Sequence, residues 1–331
     1  MSRQEWGRTL LLVIASLVTA CATPQQREVI AENDQFIAVL PDSNDTLQTL
    51  AQDLLGTSTR SWEIAELNGI TSLDRVNHAV VVPKKPTNPS GVYPNGVRKL
   101  QVLCFHRFVD TETSRHLMEV PINKFEEQIA YLKAEGYTFL TLAEASNLKQ
   151  QRAGLPERAI TITIDDGFRS VYDLAYPVLK KHNVPATVFL YVEFLGSPAA
   201  LTWSQIEEMA DSGLVTFDSH TFSHDKLTKA KGETKEAFQK RLTREVASAK
   251  RKLGQKLDVK PHSFAYPYGA ASERAIAILE AAGYRYAYTV NRGGNTLYAD
   301  NYLLKRTMIY GTDSFDQFQK KIDVFDGLPL K

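Results

Sequence analysis

Four short stretches of this chain place acidic, basic and metal-ligating side chains just past the ends of apolar runs. Asp165, Asp166 and Gly167 follow Ile160–Ile164, and His220 and His224 follow Leu214–Phe217. Pro267, Tyr268 and Gly269 follow Ser263–Tyr266, and His106 follows Leu100–Phe105. Asp-Asp-Gly alone is an ordinary turn. After the alternating Thr161-Ile162-Thr163-Ile164 it carries more weight, because adjacent carboxylates at a strand end repel unless a cation neutralises one. His220 and His224 are four residues apart, the spacing that puts two imidazoles on one face of a helical turn, where both can ligate one ion. Thr221 rather than Glu follows His220, so this is not the metalloprotease helix motif. Two imidazoles and one carboxylate make a divalent-metal site with open positions, and the second carboxylate is left as a base. The chemistry predicted is metal-dependent hydrolysis.

These residues can meet only if the runs before them lie side by side in a parallel sheet, whose strand C-termini share one face. From Val97 onward, the runs 100–105, 160–164, 187–192, 214–218, 263–266, 285–290 and 303–309 read as strands. Between most of them lie helix-like stretches: 122–135, 171–181, 204–212, 235–253 and 272–282. In 235–253, Phe238, Leu242, Val246, Ala249 and Leu253 share one face. The Lys and Arg residues of that stretch fall largely opposite and read as a solvated face. Alternation of about seven strands with helices predicts an α/β fold, a distorted barrel of parallel strands. No internal repeat is visible.

At 331 residues the chain is long enough for one large domain and a smaller one. A net charge of +1 gives no bias toward nucleic acid, and none is expected as a partner. Arg3 and Arg8 precede an apolar stretch from Leu10 to Ala20, about half of the roughly 20 residues that span a bilayer. Residues 1–20 therefore read as a signal peptide and 21–34 as a polar tether. Residues 35–83 form a compact pattern. A strand-like run, Phe36–Leu40, leads to a helix-like segment through Leu50, Leu54 and Leu55 that Gly56 stops. A second segment carries Trp62, Ile64, Ala65 and Leu67, then comes a turn at Asn68-Gly69 and a strand at Val80–Pro83. Residues 84–97, with Pro86, Pro89, Pro94, Gly91 and Gly96, read as an extended linker. Cys104, inside an apolar run, reads as a buried small hydrophobe.

Thr163-Ile164-Asp165-Asp166-Gly167, His220-Thr221-Phe222-Ser223-His224 and Tyr266-Pro267-Tyr268-Gly269 resemble, in order and spacing, the motifs of polysaccharide deacetylases, the NodB-homology or carbohydrate esterase 4 family. The resemblance spans about residues 98–310, and 98–331 is taken as that domain. It implies Asp165 as general base and Asp166, His220 and His224 as ligands of a divalent metal. Zinc fits best, and nickel, cobalt and iron also suit the donors. It implies further that the Tyr268 backbone N–H helps to hold an oxyanion. Many members carry Arg two residues before the proline of the third motif, where this chain has Ala265; Arg306 and Arg169 are the candidates to orient Asp165 instead. No histidine follows His262, whereas Leu103-Cys104-Phe105-His106 is similar to the Leu-x-Tyr-His strand of poly-β-1,6-N-acetylglucosamine deacetylases. In those enzymes the histidine that protonates the leaving amine comes from the first strand, so this resemblance implies His106 as the general acid. His78, His116, His182 and His262 read as structural. Trp203 and Tyr268 are candidates for sugar-stacking walls, with core packing equally open for Trp203.

Asp45-Thr46-Leu47, Leu50-Ala51, Leu67-Asn68-Gly69 and Val80–Pro83 resemble a LysM domain, a βααβ module that binds N-acetylglucosamine-containing glycans. Leu17-Val18-Thr19-Ala20-Cys21 resembles the bacterial lipobox, which implies a lipidated Cys21; Ala22 implies sorting to the outer membrane, facing the periplasm. The resulting expectation is a lipid-anchored envelope enzyme that removes acetyl groups from an N-acetylglucosamine polysaccharide. Peptidoglycan and O-acetylated xylan are the alternative substrates. An inactive glycan-binding envelope lipoprotein is the non-enzymatic alternative.

Overall fold

The computed structural model describes residues 27–327, except 74–75, 85–87, 89, 94, 152–153 and 258–259. The expected signal peptide, Cys21, Ala22, Pro86, Pro89 and Pro94 lie outside the described residues. The chain divides into two compact units after Thr87.

The first unit comprises β1 (Glu28–Glu32), β2 (Phe36–Leu40), α1 (Leu47–Leu55), α2 (Ser61–Asn68) and β3 (Val80–Pro83). Its strands form an antiparallel sheet in the order β1-β2-β3. Thr46 caps α1 and is capped in return by Thr49, and Gly56 ends the helix in the left-handed region. The Asn68 side chain donates to Ile64 O and Val81 O and accepts from Val81 N, which ties α2 to β3. Val39, Leu50, Ala51, Ile64, Val80 and Val82 fill the core. Residues 28–32 correct the reading of 21–34 as a tether. Every residue of β1 is exposed, so main-chain pairing with β2 holds it; the short apolar run Val29-Ile30-Ala31 is the cue that the sequence offers.

In the second unit, β4 (Val92–Tyr93) and β5 (Gly96–Arg98) form a hairpin, and β5 also pairs with Phe325–Asp326. These residues correct the expectation of a structureless linker over 84–97. The pairing partner lies at the far end of the chain, where local composition carries no sign of it. There follow β6 (Gln101–Phe105), β7 (Arg107–Val109), β8 (Glu119–Pro121), α3 (Ile122–Ala134), β9 (Thr138–Phe139), α4 (Leu142–Gln151) and β10 (Ala159–Asp166). After them come α5 (Tyr176–His182), β11 (Ala186–Leu190), α6 (Trp203–Asp211), β12 (Val215–Ser219), α7 (Lys235–Thr243) and α8 (Ala249–Leu257). β13 (Ser263–Ala265), α9 (Glu273–Ala281), β14 (Tyr286–Tyr288) and β15 (Thr307–Met308) follow, and a short helix, α10 (Phe315–Gln319), leads to the Phe325–Asp326 strand.

Seven strands run parallel in the order β14-β13-β12-β11-β10-β6-β15, with β9 beside β10. A lone parallel bridge between Tyr288 and Leu304 joins the two edges and curls the sheet into a distorted barrel. The run 303–309 gives only a two-residue strand, since Leu304 pairs across this seam instead of with β6. Ile160, Ile162 and Ile164 pack outward in the main core, which also holds Phe125, Ile129, Val171, Leu179 and Ile206. The opposite side of β10 (Thr161, Thr163, Asp165) faces the barrel interior, whose apolar part includes Val102, Phe189, Ala265, Tyr286 and Tyr288. The helix read over 235–253 extends to Leu257 and is broken by a π turn at Arg244–Ser248. A second π turn, Val171–Ala175, precedes α5.

Candidate active site

Asp165 and Asp166 end the central strand. Strand geometry sends neighbouring side chains to opposite faces, which would carry Asp166 into the helical layer. Instead its backbone is left-handed, with φ 75°, and both carboxylates stay at the barrel mouth. Aspartate visits this region more readily than most residues. Five described non-glycine residues have positive φ: Asp166, Asn183, Thr221, His224 and Tyr268. Asn183 ends a helix, and the other four belong to the three sequence motifs. Sparsely populated backbone states of this kind cluster at functional sites.

Asp165 is 1% exposed. Arg306 meets it with two parallel hydrogen bonds, Nη1 to Oδ1 at 2.6 Å and Nη2 to Oδ2 at 2.7 Å. Two further donors of Arg306 reach Thr289 O at 3.1 Å and Thr163 Oγ1 at 3.3 Å. Burial pushes the Asp165 carboxyl up, but the Arg306 guanidinium beside it overrides that and holds it well below the usual carboxylate range. The group is an ionised carboxylate at neutral pH. Of the two candidates to orient it, Arg306 does so; Arg169 pairs with Asp173 on the surface.

Asp166, His220 and His224 each offer a ligand atom within 4.8 Å of the others. His220 Nε2 lies 3.6 Å and His224 Nε2 3.3 Å from Asp166 Oδ1. Donors bound at about 2.1 Å to one tetrahedral or octahedral ion sit about 3.0–3.4 Å apart. Asp166 Oδ1 is buried and accepts no hydrogen bond, so an acceptor is left over where an ion would sit. His220 Nδ1 lies 2.8 Å from Ala265 O; a carbonyl only accepts, so Nδ1 carries the proton and Nε2 keeps its lone pair. Burial lowers the His220 pKa, with Asp165 and Asp166 opposing it, and the ring is neutral as a ligand must be. These donors fit a divalent cation.

The histidine pair does not sit on a helix, which corrects the helical-turn expectation. Residues 220–224 form a loop with Thr221 at φ 74° and His224 at φ 61°. His220 N–H donates to Leu190 O at 2.8 Å, and His224 N–H to Thr221 Oγ1 at 2.9 Å. Left-handed turns achieve the convergence that a helical period would have supplied.

His106 continues the Val102–Cys104 face of β6, and the register pairs Cys104 with Thr163, which brings His106 to Asp165. Cys104, His106 and Asp165 offer polar atoms within 4.8 Å of one another, and His106 Nδ1 is buried without a partner. Cys104 is buried as expected, but it also touches the Asp165 carboxylate: Sγ lies 3.5 Å from Asp165 Oδ2. Burial pushes its thiol well up, so it remains protonated. The Tyr268 side chain is 62% exposed, and its ring centroid lies 4.9 Å from that of His224. Trp203 is half-buried and packs against the main core, which supports its core-packing reading. His182 bonds Glu126 at 3.1 Å on the surface side of α5. Sequence reading missed Glu245, whose carboxylate binds Ser223 between the two histidines at 2.8 Å. A signal existed: Glu245 falls three residues after Leu242, on the apolar face of its helix.

Comparisons with known proteins agree with this geometry. The profile of the polysaccharide deacetylase family matches residues 152–287. The poly-beta-1,6-N-acetyl-D-glucosamine N-deacetylase of Staphylococcus epidermidis is 32% identical over 209 residues, covering 61% of this chain and 72% of that protein. The putative polysaccharide deacetylase YxkH of Bacillus subtilis is 31% identical over 232 residues, covering 70% and 79%. Among solved structures, the Streptococcus pyogenes deacetylase PplD in complex with acetate superposes with a TM-score of 0.61 at 26% identity, covering 68% of this chain and 98% of that one. IcaB from Ammonifex degensii gives 0.60 at 27% identity, covering 69% and 97%. With its motifs gathered at one barrel mouth and relatives of this identity and coverage, the chain belongs to the polysaccharide deacetylase family.

Proposed function

We propose that the chain is a metal-dependent N-deacetylase of an envelope or extracellular polysaccharide, and that a β-1,6-linked N-acetylglucosamine polymer is its substrate. One observation carries the reading: a buried carboxylate, kept ionised by Arg306, stands beside a separate Asp166–His220–His224 donor set. A divalent metal, zinc by choice, supplies Lewis-acid polarisation of the acetyl carbonyl and acidifies water when bound. Asp165 accepts the proton of the attacking water. His106, across from it, donates a proton to the leaving amine, and the Tyr268 N–H donates to the developing oxyanion. Exposed Tyr268 offers a face for a sugar ring. The polymer assignment is supported by the Staphylococcus epidermidis relative's name and by His106 on the first barrel strand.

The inactive-protein alternative drew its support from Ala265, and Arg306 fills the role of the missing arginine, which removes that support. The first unit, as a LysM-like domain over 35–83, would hold the enzyme near glycan and raise its effective concentration. Cys21 would carry the lipid that anchors it to the outer membrane, facing the periplasm. Loss of membrane partitioning in Cys21→Ser supports the anchor, and unchanged partitioning removes it. Acetate release from purified poly-β-1,6-N-acetylglucosamine, peptidoglycan and acetylated xylan tests the substrate. The first is expected to be fastest; a preference for either other polymer overturns the assignment.

A further inference from the structure

Two of the three residues of the metal cluster lie on the loop 220–224, and that loop is held in an unfavourable shape. Thr221 and His224 have left-handed backbones, and for a β-branched residue this conformation persists only when neighbours impose it. On one side the Val192 and Glu193 N–H groups bond Thr221 O and Phe222 O at 3.3 and 2.8 Å. On the other stands Glu245, 2% exposed. Its Oε2 accepts the Ser223 N–H and its Oε1 accepts the Ser223 hydroxyl, both at 2.8 Å. Buried carboxylates are rare unless both oxygens are engaged.

Glu245 belongs to the π turn at Arg244–Ser248, between α7 and α8. Such single-residue insertions in a helix recur at functional sites. Four residues earlier, Arg241 grips the chain just beyond His224, bonding Asp225 Oδ2 at 3.0 Å, Lys226 O at 2.6 Å and Thr228 O at 2.9 Å. One helix therefore clamps the loop at Ser223 and again at 225–228, on both sides of His224.

We propose that Glu245 is a positioning residue for the metal cluster: by binding both Ser223 donors it fixes the left-handed turn that brings His224 to Asp166, and so sets metal affinity. The proposal rests on the reading of Asp166, His220 and His224 as metal ligands. The chain supplies the geometry in advance, and the ion does not have to impose it.

The test is zinc affinity of the metal-stripped full chain, measured by competition with a chromophoric chelator. Glu245→Leu fills the space but removes the acceptors, and it should bind zinc about 10–100-fold more weakly, the range for lost outer partners of metal ligands. Glu245→Gln keeps an acceptor for the Ser223 N–H and can donate to the hydroxyl oxygen, so it should stay within about threefold of the unmodified chain. Ser223→Ala removes one of the two bonds and should fall between them. Zinc binding by folded Glu245→Leu within about twofold of the unmodified chain overturns the proposal. If Glu245→Leu does not fold, Ser223→Ala decides, and unchanged affinity there overturns it equally. Absence of zinc binding by the unmodified chain would instead sink the metal reading itself.

Discussion

The pair of Asp165 and Arg306 decides what the proposed base can do. A buried carboxylate without a partner would be protonated near neutrality and useless as a base; two charge-assisted hydrogen bonds reverse that. Because the folded pKa lies below the unfolded value of about 3.9, the pair's contribution to stability is complete above roughly pH 4. It is lost as pH falls through the lower folded value. Arg306→Ala leaves a buried charge unpaired and should destabilise the second unit by about 3–5 kcal/mol, read from denaturant unfolding. The acid limb of kcat/KM should move to higher pH in the same variant, because Asp165 then protonates more easily; an unmoved limb would detach Arg306 from the reaction. For His106→Ala, turnover should fall about 10²–10⁴-fold with metal content unchanged. At this scale the sequence was informative about residue types and blind to distance. Asp165, Asp166, His220 and His224 announce themselves by motif. Arg306 lies 141 positions from Asp165, and nothing local separates it from Arg169.

Among the elements, the strands were the readable part, because buried parallel strands appear as short apolar runs. What the runs cannot show is the turn at their ends. The i, i+4 histidine spacing points to a helix, yet Thr221 and His224 take left-handed conformations that no periodicity encodes. α4, β7 and β8 also escaped, being short or weakly patterned. Two glycines beside the motifs illustrate how tightly these turns are built. Gly167 has φ 83°, and an added Cβ would lie 2.6 Å from Leu190 Cδ2, a side-chain end that can move. Gly269 has φ 68°, and its Cβ would meet Val290 Cγ2 at 2.6 Å and the Val290 backbone nitrogen at 2.8 Å. Left-handed strain of about 1–2 kcal/mol applies to both, and overpacking adds about 1–3 kcal/mol. Gly269→Ala should therefore be the more destabilising, by thermal or denaturant unfolding. Equal losses would show that the Val290 backbone yields as easily as the Leu190 side chain.

At the scale of the whole molecule, a catalytic unit and a smaller companion divide after Thr87. Composition located the change of character but misjudged its extent: residues 28–32 and 92–98 pair with partners that local patterning does not reveal. No helix among the described residues is long and apolar enough to cross a membrane; the proposed attachment through Cys21 rests on the resemblance of residues 17–21 to a lipobox. A metal that binds only the folded state stabilises it by mass action. Zinc at about one hundred times its dissociation constant contributes about 2.7 kcal/mol, which should raise the melting temperature of the second unit by about 5–10 °C. Asp166→Ala should abolish that rise. A rise that persists in the variant would place the ion elsewhere.

Acetate release from poly-β-1,6-N-acetylglucosamine, compared between the zinc-loaded chain and Asp165→Asn at equal metal occupancy, tests the central claim most directly. Acetate and free amines should appear together from the unmodified chain, and the variant should be slower by about 10²–10⁴-fold. Equal rates from the two proteins, or no acetate from either, would contradict a hydrolytic centre built from Asp165 beside the Asp166, His220 and His224 cluster.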